Sequence, residues 1–287
     1  MTSARYCPVV LAFGTALLAV AGTTLPWKRA HAADGEPTTK GASVALVQRF
    51  QSRDQVELLM LLDELGKREP DAPKAARAVS ELLASGQADV VTDHARETLG
   101  RLGVREGRDA LVTYTHHRRA ETRRRAYTAL AQLKDASAAS VESQGLRDSA
   151  PEVRSAAALA LGELRASAAA PDLLRALGRG VHEAAPALGK LGDAASVDAY
   201  GAYLGKQPLD VMLAGYANYL QRDDLRDPVK LRIVAALEDV SGSAVKRFLS
   251  ELIANNKPPR SPELQRAMVA AVSRIKSDAA APARAPR

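Results

Sequence analysis

The sequence has a single cysteine, Cys7, and a single tryptophan, Trp27, and both lie near its N-terminus. From residue 28 onward, disulfide bonds and thiolate chemistry are therefore excluded, and this lack of cysteine is compatible with an oxidising compartment. Aromatic residues make up only 4% of the chain, which disfavours a β-rich fold because strands favour Val, Ile, Tyr and Phe. Alanine and leucine dominate instead, and they favour helices that pack through small and aliphatic side chains.

The N-terminal segment, residues 1–32, has the features of an export signal. A basic residue lies near the start, residues 8–26 are mostly apolar, and Ala30-His31-Ala32 has the small-x-small pattern of a cleavage site. We expect cleavage after this tripeptide and export to the periplasm or cell envelope, with Ala19-Val20-Ala21 as a second candidate site. The alternative is an uncleaved anchor, because the apolar stretch is nearly long enough to span a bilayer. Only in that case do we expect a membrane association.

The positive charge of the chain is modest once the leader is set aside. The whole chain carries a formal charge of +7, and three of these charges are basic residues of the leader, which has no acidic residue. The remaining +4 is too weak to argue for nucleic acid by itself. Residues 33–42 are polar without periodicity, which predicts a linker. Residues 278–287 are mostly Ala, Pro and Arg, which predicts a disordered tail.

An internal repeat occupies the region between these ends, residues 43–277. Its pattern places Ala, Leu and Leu at positions i, i+4 and i+7, which is one face of a helix, and a Gly or Ala follows the first Leu so that the next helix can approach closely. A short polar turn and a second apolar segment follow, so each unit is predicted to be a helix, a turn and a helix. The strong copies begin at Ala95, Ala126, Ala157 and Ala184, so the first two steps are equal and the third is slightly shorter.

The copy from Asp148 to Leu164 resembles the HEAT repeat family in its short bacterial, phycobilisome-lyase form. It contains Asp148, Pro151 and Val153-Arg154, and it ends in Ala-Leu-Gly-Glu-Leu. The resemblance extends over residues 43–277 and is strongest over 88–205. It implies an all-α fold, a right-handed α-α superhelix of stacked helix pairs that usually serves as a protein-binding scaffold. We expect the inner surface, formed by the second helices, to be the binding face.

One segment raises an enzyme as the alternative. His182-Glu183 resembles the His-Glu motif of deoxyhypusine hydroxylase, a HEAT-repeat enzyme in which several such pairs converge on two irons. The equivalent positions in the earlier copies, Asp93-His94, Arg124-Arg125 and Ser155-Ala156, are not His-Glu. One pair supplies too few ligands for two irons, so we predict no metal, no cofactor and no catalytic residue. A lyase-like or metal-dependent enzyme, or a subunit of one, stays open as the second hypothesis.

A basic segment contains five arginines between positions 118 and 125, of which Arg123 lies one repeat before Arg154 and is interpreted as the structural arginine of the family. Such a run can bind phosphate, an acidic glycan or an acidic protein, or it can be a solvated rim. Nucleic acid is disfavoured by the leader and by the missing tryptophan, which would stack on bases. The candidate partner-binding residues in this segment are Arg118, Arg119, Arg124 and Arg125.

Four of the seven tyrosines fall between positions 200 and 219, as two pairs at i, i+3 spacing. Members of each pair share one helix face if both lie on one helix. They are either an exposed aromatic patch, the kind of anchor that interfaces favour, or core filling where the repeat register is disturbed. The four candidate partner-binding residues are Tyr200, Tyr203, Tyr216 and Tyr219.

The sequence as a whole favours an exported, non-enzymatic protein–protein interaction scaffold. The identity of the partner and the oligomeric state do not follow from it. The alternatives are the HEAT-repeat enzyme described above and a basic binder of nucleic acid or of another acidic polymer.

Overall fold

The structure of this chain, a computed structural model, describes residues 48–52, 54–67, 71–255 and 260–276. These residues belong to one compact unit. Three predicted segments lie outside the described residues: the leader (1–32), the linker (33–42) and the tail (278–287).

Fourteen α-helices have both ends within the described residues, and no strand forms there. None of these helices is long and apolar enough to cross a membrane. Single 3-10 turns precede α4, α6 and α8. The helices are α1 (Gln55–Lys67), α2 (Ala72–Ala84), α3 (Asp89–Leu102), α4 (Arg108–Tyr114), α5 (Ala120–Gln132), α6 (Ala139–Gly145), α7 (Pro151–Leu164), α8 (Ala170–Gly178), α9 (Ala184–Leu191), α10 (Ala194–Gly201), α11 (Leu209–Gln221), α12 (Asp227–Val240), α13 (Ser243–Ala254) and α14 (Pro262–Arg274).

The helices alternate between two layers. α1, α3, α5, α7, α9 and α11 lie side by side, each in contact with the next, and α13 follows α11. The even-numbered helices form the other layer, in which α8, α10, α12 and α14 contact one another in turn. We call the odd-numbered set the first-helix layer and the even-numbered set the second-helix layer. This stacking of helix pairs confirms the predicted all-α solenoid.

The repeated Ala and Leu positions form the core between the layers. The Ala and Leu side chains of a first helix pack against the second helix of the same repeat and against the adjacent repeat. Each repeat is therefore stabilised by its neighbours. Pro151 begins α7 at a position where its missing N–H costs no helical hydrogen bond. The following side chains are all fully buried: Ala95, Ala126, Ala157, Ala184, Leu99, Leu130, Leu161 and Leu188.

The small residue after the repeated Leu is the point of closest approach between first helices. A Cβ atom added to Gly162 on α7 would lie 2.9 Å from Cα of Ala187 on α9. A Cβ atom on Gly189 would collide with the backbone carbonyl of Gly215 on α11. Because real Cβ atoms do not come this close to backbone, the predicted role of the small residue is confirmed.

One left-handed backbone position recurs at the ends of successive first helices. It is occupied by Gly103 after α3 (φ +65), by Lys134 after α5 (φ +52) and by Arg165 after α7 (φ +49). These three residues are each one repeat apart. Glycine adopts this conformation without strain, whereas a residue with a Cβ atom pays about 1–2 kcal/mol. Two of the three repeats therefore keep a long cation at a position that suits glycine.

Candidate functional site

Two of the four candidate arginines lie on α5 and are paired with carboxylates. Arg124 donates two hydrogen bonds to the carboxylate of Glu121, each 2.7 Å long. Arg125 donates to the same carboxylate at 2.8 Å, and it also lies 3.4 Å from Glu97 and 3.5 Å from Asp93 on α3. Hydrogen bonds from the two guanidiniums lower the pKa of Glu121 to about 2. Their charge is therefore opposed within the protein, and Arg125 ties α5 to α3.

The other two candidates, Arg118 and Arg119, are exposed in the turn that leads into α5. Arg119 forms an ion pair with Asp89 at the start of α3. Exposed pairs contribute only about 0–1 kcal/mol to stability, but they offset the charge that a polyanion would bind. The structure thus favours the solvated-rim interpretation of this basic segment.

Arg123 has a structural role, as its repeat position predicts. Its Nη1 donates to the backbone carbonyls five and six residues earlier, and Arg154 makes the same two bonds one repeat later. Two further hydrogen bonds of 2.8 Å from Arg123 reach the Asp148 carboxylate of the next repeat and hold the pKa of that carboxyl below its usual value. This largely buried pair joins the two strongest copies of the repeat.

The interpretation of the tyrosines as an exposed patch is wrong for three of the four. Tyr200, Tyr216 and Tyr219 are at most 1% exposed. Tyr200 meets Tyr216 edge to face at 5.0 Å between ring centroids, and its hydroxyl donates to the Met212 carbonyl at 2.9 Å. Burial raises the pKa of Tyr216 to about 12. These rings fill the core between α10 and α11, which is the other interpretation of the cluster.

Glycine explains how the rings are accommodated. A Cβ atom on Gly215 of α11 would lie 2.6 Å from Cζ of Tyr200, so the absence of a side chain leaves room for the ring. Tyr203 lies beyond the end of α10, where it is half-buried and donates its hydroxyl to the Leu174 carbonyl of α8 at 3.0 Å. It is therefore a packing residue as well, and it does not share a helix face with Tyr200.

The pair His182-Glu183 lies at the start of α9, beside α7. His182 is exposed in the turn before α9, and Glu183 is the residue before its first turn. The Glu183 carboxylate accepts a 2.8 Å hydrogen bond from the Ser155 hydroxyl of α7. Within the part of the chain that the structure describes, no group of three or more His, Cys, Asp or Glu side chains is placed to hold a metal ion. The geometry gives Glu183 a bridging contact between α7 and α9.

Sequence reasoning missed an open groove of about 730 Å³ on the first-helix layer, over α5 and α7. The sequence predicts a binding face on the second helices, whereas this groove lies on the opposite layer. Its floor is apolar, and Leu159 is 46% exposed there. We call the apolar lining residues of the groove the floor (Ala131, Ala156, Leu159 and Ala160) and its polar lining residues the margin (Arg124, Thr128, Gln132, Lys134, Glu152, Ser155, Glu163 and Glu183).

Leu159 is the sequence feature that could have revealed the groove. It stands two residues after the repeated Ala, a position that faces away from the core. The earlier copies carry Glu97 and Thr128 there, and both are exposed. Because single exposed leucines are common on protein surfaces, the residue gains significance only from the alanines that surround it in the folded chain.

Comparisons with known proteins agree with this architecture. A family model for HEAT repeats matches residues 108–185. A search of curated proteins finds no relative.

Solved structures match this chain with low sequence identity, and three examples follow. The complex of CpcE and CpcF of phycocyanin lyase from Nostoc has 18% identity and a TM-score of 0.45, with 88% of this chain and 100% of that chain covered. Human deoxyhypusine hydroxylase has 16% identity and a TM-score of 0.39, with 81% and 95% covered. An engineered protein has 16% identity and a TM-score of 0.38, with 81% and 96% covered. The family match identifies HEAT repeats in residues 108–185, the segment that contains the groove.

Proposed function

We propose that this protein is an exported, non-enzymatic scaffold that binds a protein partner in the groove over α5 and α7. The observation that carries the proposal is the exposed Leu159 on a floor of small apolar side chains. Exposed apolar patches rimmed by polar residues are typical of protein–protein interaction sites and ligand-binding grooves. The Arg123–Asp148 pair joins α5 to the turn before α7, and Arg125 ties α5 to α3, so the helices that form the surface are held in place.

The residues that resemble enzyme or polyanion-binding motifs make structural contacts instead, which supports the scaffold proposal. Glu183 bridges to Ser155, and the α5 arginines are engaged by carboxylates. A basic binder of acidic polymers is supported less well, since three of the four arginines it would use already pair with carboxylates. Export is proposed from the leader-like sequence of residues 1–32.

Substitution of Leu159 by Glu tests the binding face. We expect the purified Leu159→Glu protein to lose capture of the partner that wild type retains from an envelope extract, because a charge on the floor must be desolvated on binding. Val269→Glu on α14 is a matched control, since Val269 is exposed to the same degree, 47% against 46%. Equal helicity by circular dichroism would show that all three proteins fold. Capture that survives in Leu159→Glu would contradict the proposed site.

Export has its own test, which is independent of the groove. Cell fractionation with N-terminal sequencing of the native protein should find it in the periplasm or envelope, beginning at residue 33. A cytosolic protein that retains Met1 would refute export, and a membrane-bound one that retains Met1 would favour the anchor.

A further inference from the structure

The groove carries opposite charges at its two ends. At the end where α7 and α9 begin, the margin holds Glu152 in the first turn of α7 and Glu183 beside α9. The two carboxylates are close, because Glu183 is hydrogen-bonded to Ser155, and Ser155 lies one helical turn from Glu152 on the same face. Among the described residues, neither carboxylate forms an ion pair within 4 Å, although the charge of Glu152 also acts on Arg123 and Arg124 of α5. Because these two arginines are already paired with Asp148 and Glu121, this end keeps a net negative charge.

The other end of the groove presents a cation. Lys134 lies just past the C-terminal end of α5 in the left-handed conformation. It has no ion-pair partner within the described ranges. The equivalent position one repeat earlier is Gly103, which adopts the same backbone without strain. A strained residue that lines a concave surface is a reason to consider a binding role for its side chain.

The remaining charges of the margin cancel. Arg124 is held by Glu121, and Glu163 is held by Lys190. The groove is therefore apolar along its floor, negative at the start of α7 and positive toward the end of α5. Because first helices in adjacent repeats are packed side by side, this polarity runs along the direction of the helices.

We propose that the occupant of the groove is an amphipathic α-helix of the partner that lies antiparallel to α7. This inference rests on the proposed scaffold function and names the partner segment that it would bind. The apolar face of the occupant packs on Leu159 and the surrounding alanines, its acidic N-terminal end meets Lys134, and its basic C-terminal end meets Glu152 and Glu183.

The orientation follows from charge complementarity. Helices are stabilised by acidic residues at their N-terminus and basic residues at their C-terminus. A helix with that distribution matches the groove only when its N-terminus lies at the Lys134 end. The alanines on the floor leave room for a helix backbone, and helix-in-groove recognition uses apolar anchors one turn apart. An antiparallel occupant also opposes its dipole to that of α7.

Two synthetic peptides with the same composition test the proposal directly. Each is an acetylated and amidated helix of about the length of α7, with a Leu and Ala stripe. One has Glu at the N-terminal end and Lys at the C-terminal end, and the other has these charges exchanged. We expect fluorescence anisotropy to show about tenfold tighter binding of the first peptide in low salt, and the difference should shrink in high salt.

The double variant Lys134→Glu with Glu152→Lys sharpens the test, because it exchanges one charge at each end of the groove. Here the preference should reverse toward the second peptide. In Leu159→Glu, neither peptide should bind, whereas Val269→Glu should bind as wild type does. Circular dichroism of every variant separates loss of binding from loss of fold.

The outcomes distinguish this inference from the proposed function. Equal binding of both peptides, tighter binding of the second peptide to wild type, or binding of neither overturns the antiparallel helix. If the native partner is nevertheless lost in Leu159→Glu, the scaffold stands with an occupant of another kind. If partner capture is unaffected by that substitution, the groove is not the binding site and both proposals fall.

Discussion

The stretch from α3 to α7 and the stretch from α10 to α11 hold neighbouring helices together with different residues. In the first, Ala and Leu recur at a constant step, and the Arg123–Asp148 pair joins one repeat to the next. In the second, the spacing breaks and three buried tyrosines fill the core instead. The comparison teaches that an aromatic cluster fills the core where the repeat step changes, whereas an exposed apolar residue such as Leu159 becomes a candidate anchor only where small apolar side chains surround it.

The largest expected effect comes from the irregular stretch. Tyr216→Ala should lower the free energy of unfolding by about 3–5 kcal/mol, because it leaves a large cavity in the core. Urea denaturation followed by circular dichroism measures this. Partner capture by the folded fraction should persist, because the ring does not line the groove. A loss below about 1 kcal/mol, the scale of surface substitutions, would revive the exposed patch.

A buried glutamate in the regular stretch should make the stability of the fold decrease as pH rises. Glu142 on α6 is fully buried, its two carboxylate oxygens have no hydrogen-bond partner among the described residues, and burial raises its pKa well above the usual value. A raised carboxyl pKa in the folded state means that the folded protein binds more protons. Stability is therefore lost as pH rises from the unfolded-state pKa toward the folded one, by about 1.4 kcal/mol per pH unit.

Glu142→Gln removes this dependence. We expect the variant to unfold at higher temperature than wild type at pH 8 and at a similar temperature at pH 4. Asp148→Asn is the control of opposite sign, because the pKa of Asp148 is lowered by Arg123. Its contribution to stability is present above the unfolded-state value, about pH 4, and is lost as pH falls through the folded value. Identical pH profiles for wild type and Glu142→Gln would exclude a neutral carboxyl at this position.

The smallest effect concerns the left-handed position at the ends of the first helices. Lys134→Gly should raise the free energy of unfolding by about 1 kcal/mol through relief of strain, partly offset by the greater freedom of glycine in the unfolded chain. Gly103→Ala should lower it by a similar amount. Thermal melts of the two variants would show this, and a destabilised Lys134→Gly would mean that the lysine contributes more than its backbone costs.

Much of the fold followed from the sequence because its determinants are local and recur. The i, i+4, i+7 pattern gave the first helices, the small residue after Leu161 marked a close approach, and the constant repeat step identified Arg123 as structural. Each depends on residues within one repeat or one repeat apart. The match to HEAT repeats covers residues 108–185, which include Arg123 and Leu161.

The candidate site did not follow from the sequence, because its determinants lie between helices. Spacing at i, i+3 shows which tyrosines share a face but not whether that face meets a neighbour or solvent. The carboxylate that opposes Arg119, and two of the three that oppose Arg125, come from α3, in the preceding repeat. The groove depends on which helix layer leaves its outer surface open. The same Ala and Leu pattern is compatible with a groove on either layer.

Because each helix pair contacts only its nearest neighbours, the order in which the pairs unfold depends on their position in the stack. Each helix pair is secured by the pairs beside it, so a pair at either end has one such interface and an interior pair has two. Unfolding therefore starts as fraying from the ends, and the α5–α7 region, with several pairs on each side, is among the last to open. The proposed groove therefore lies on a part of the stack that we expect to open late, away from loss of order at α1 or α14.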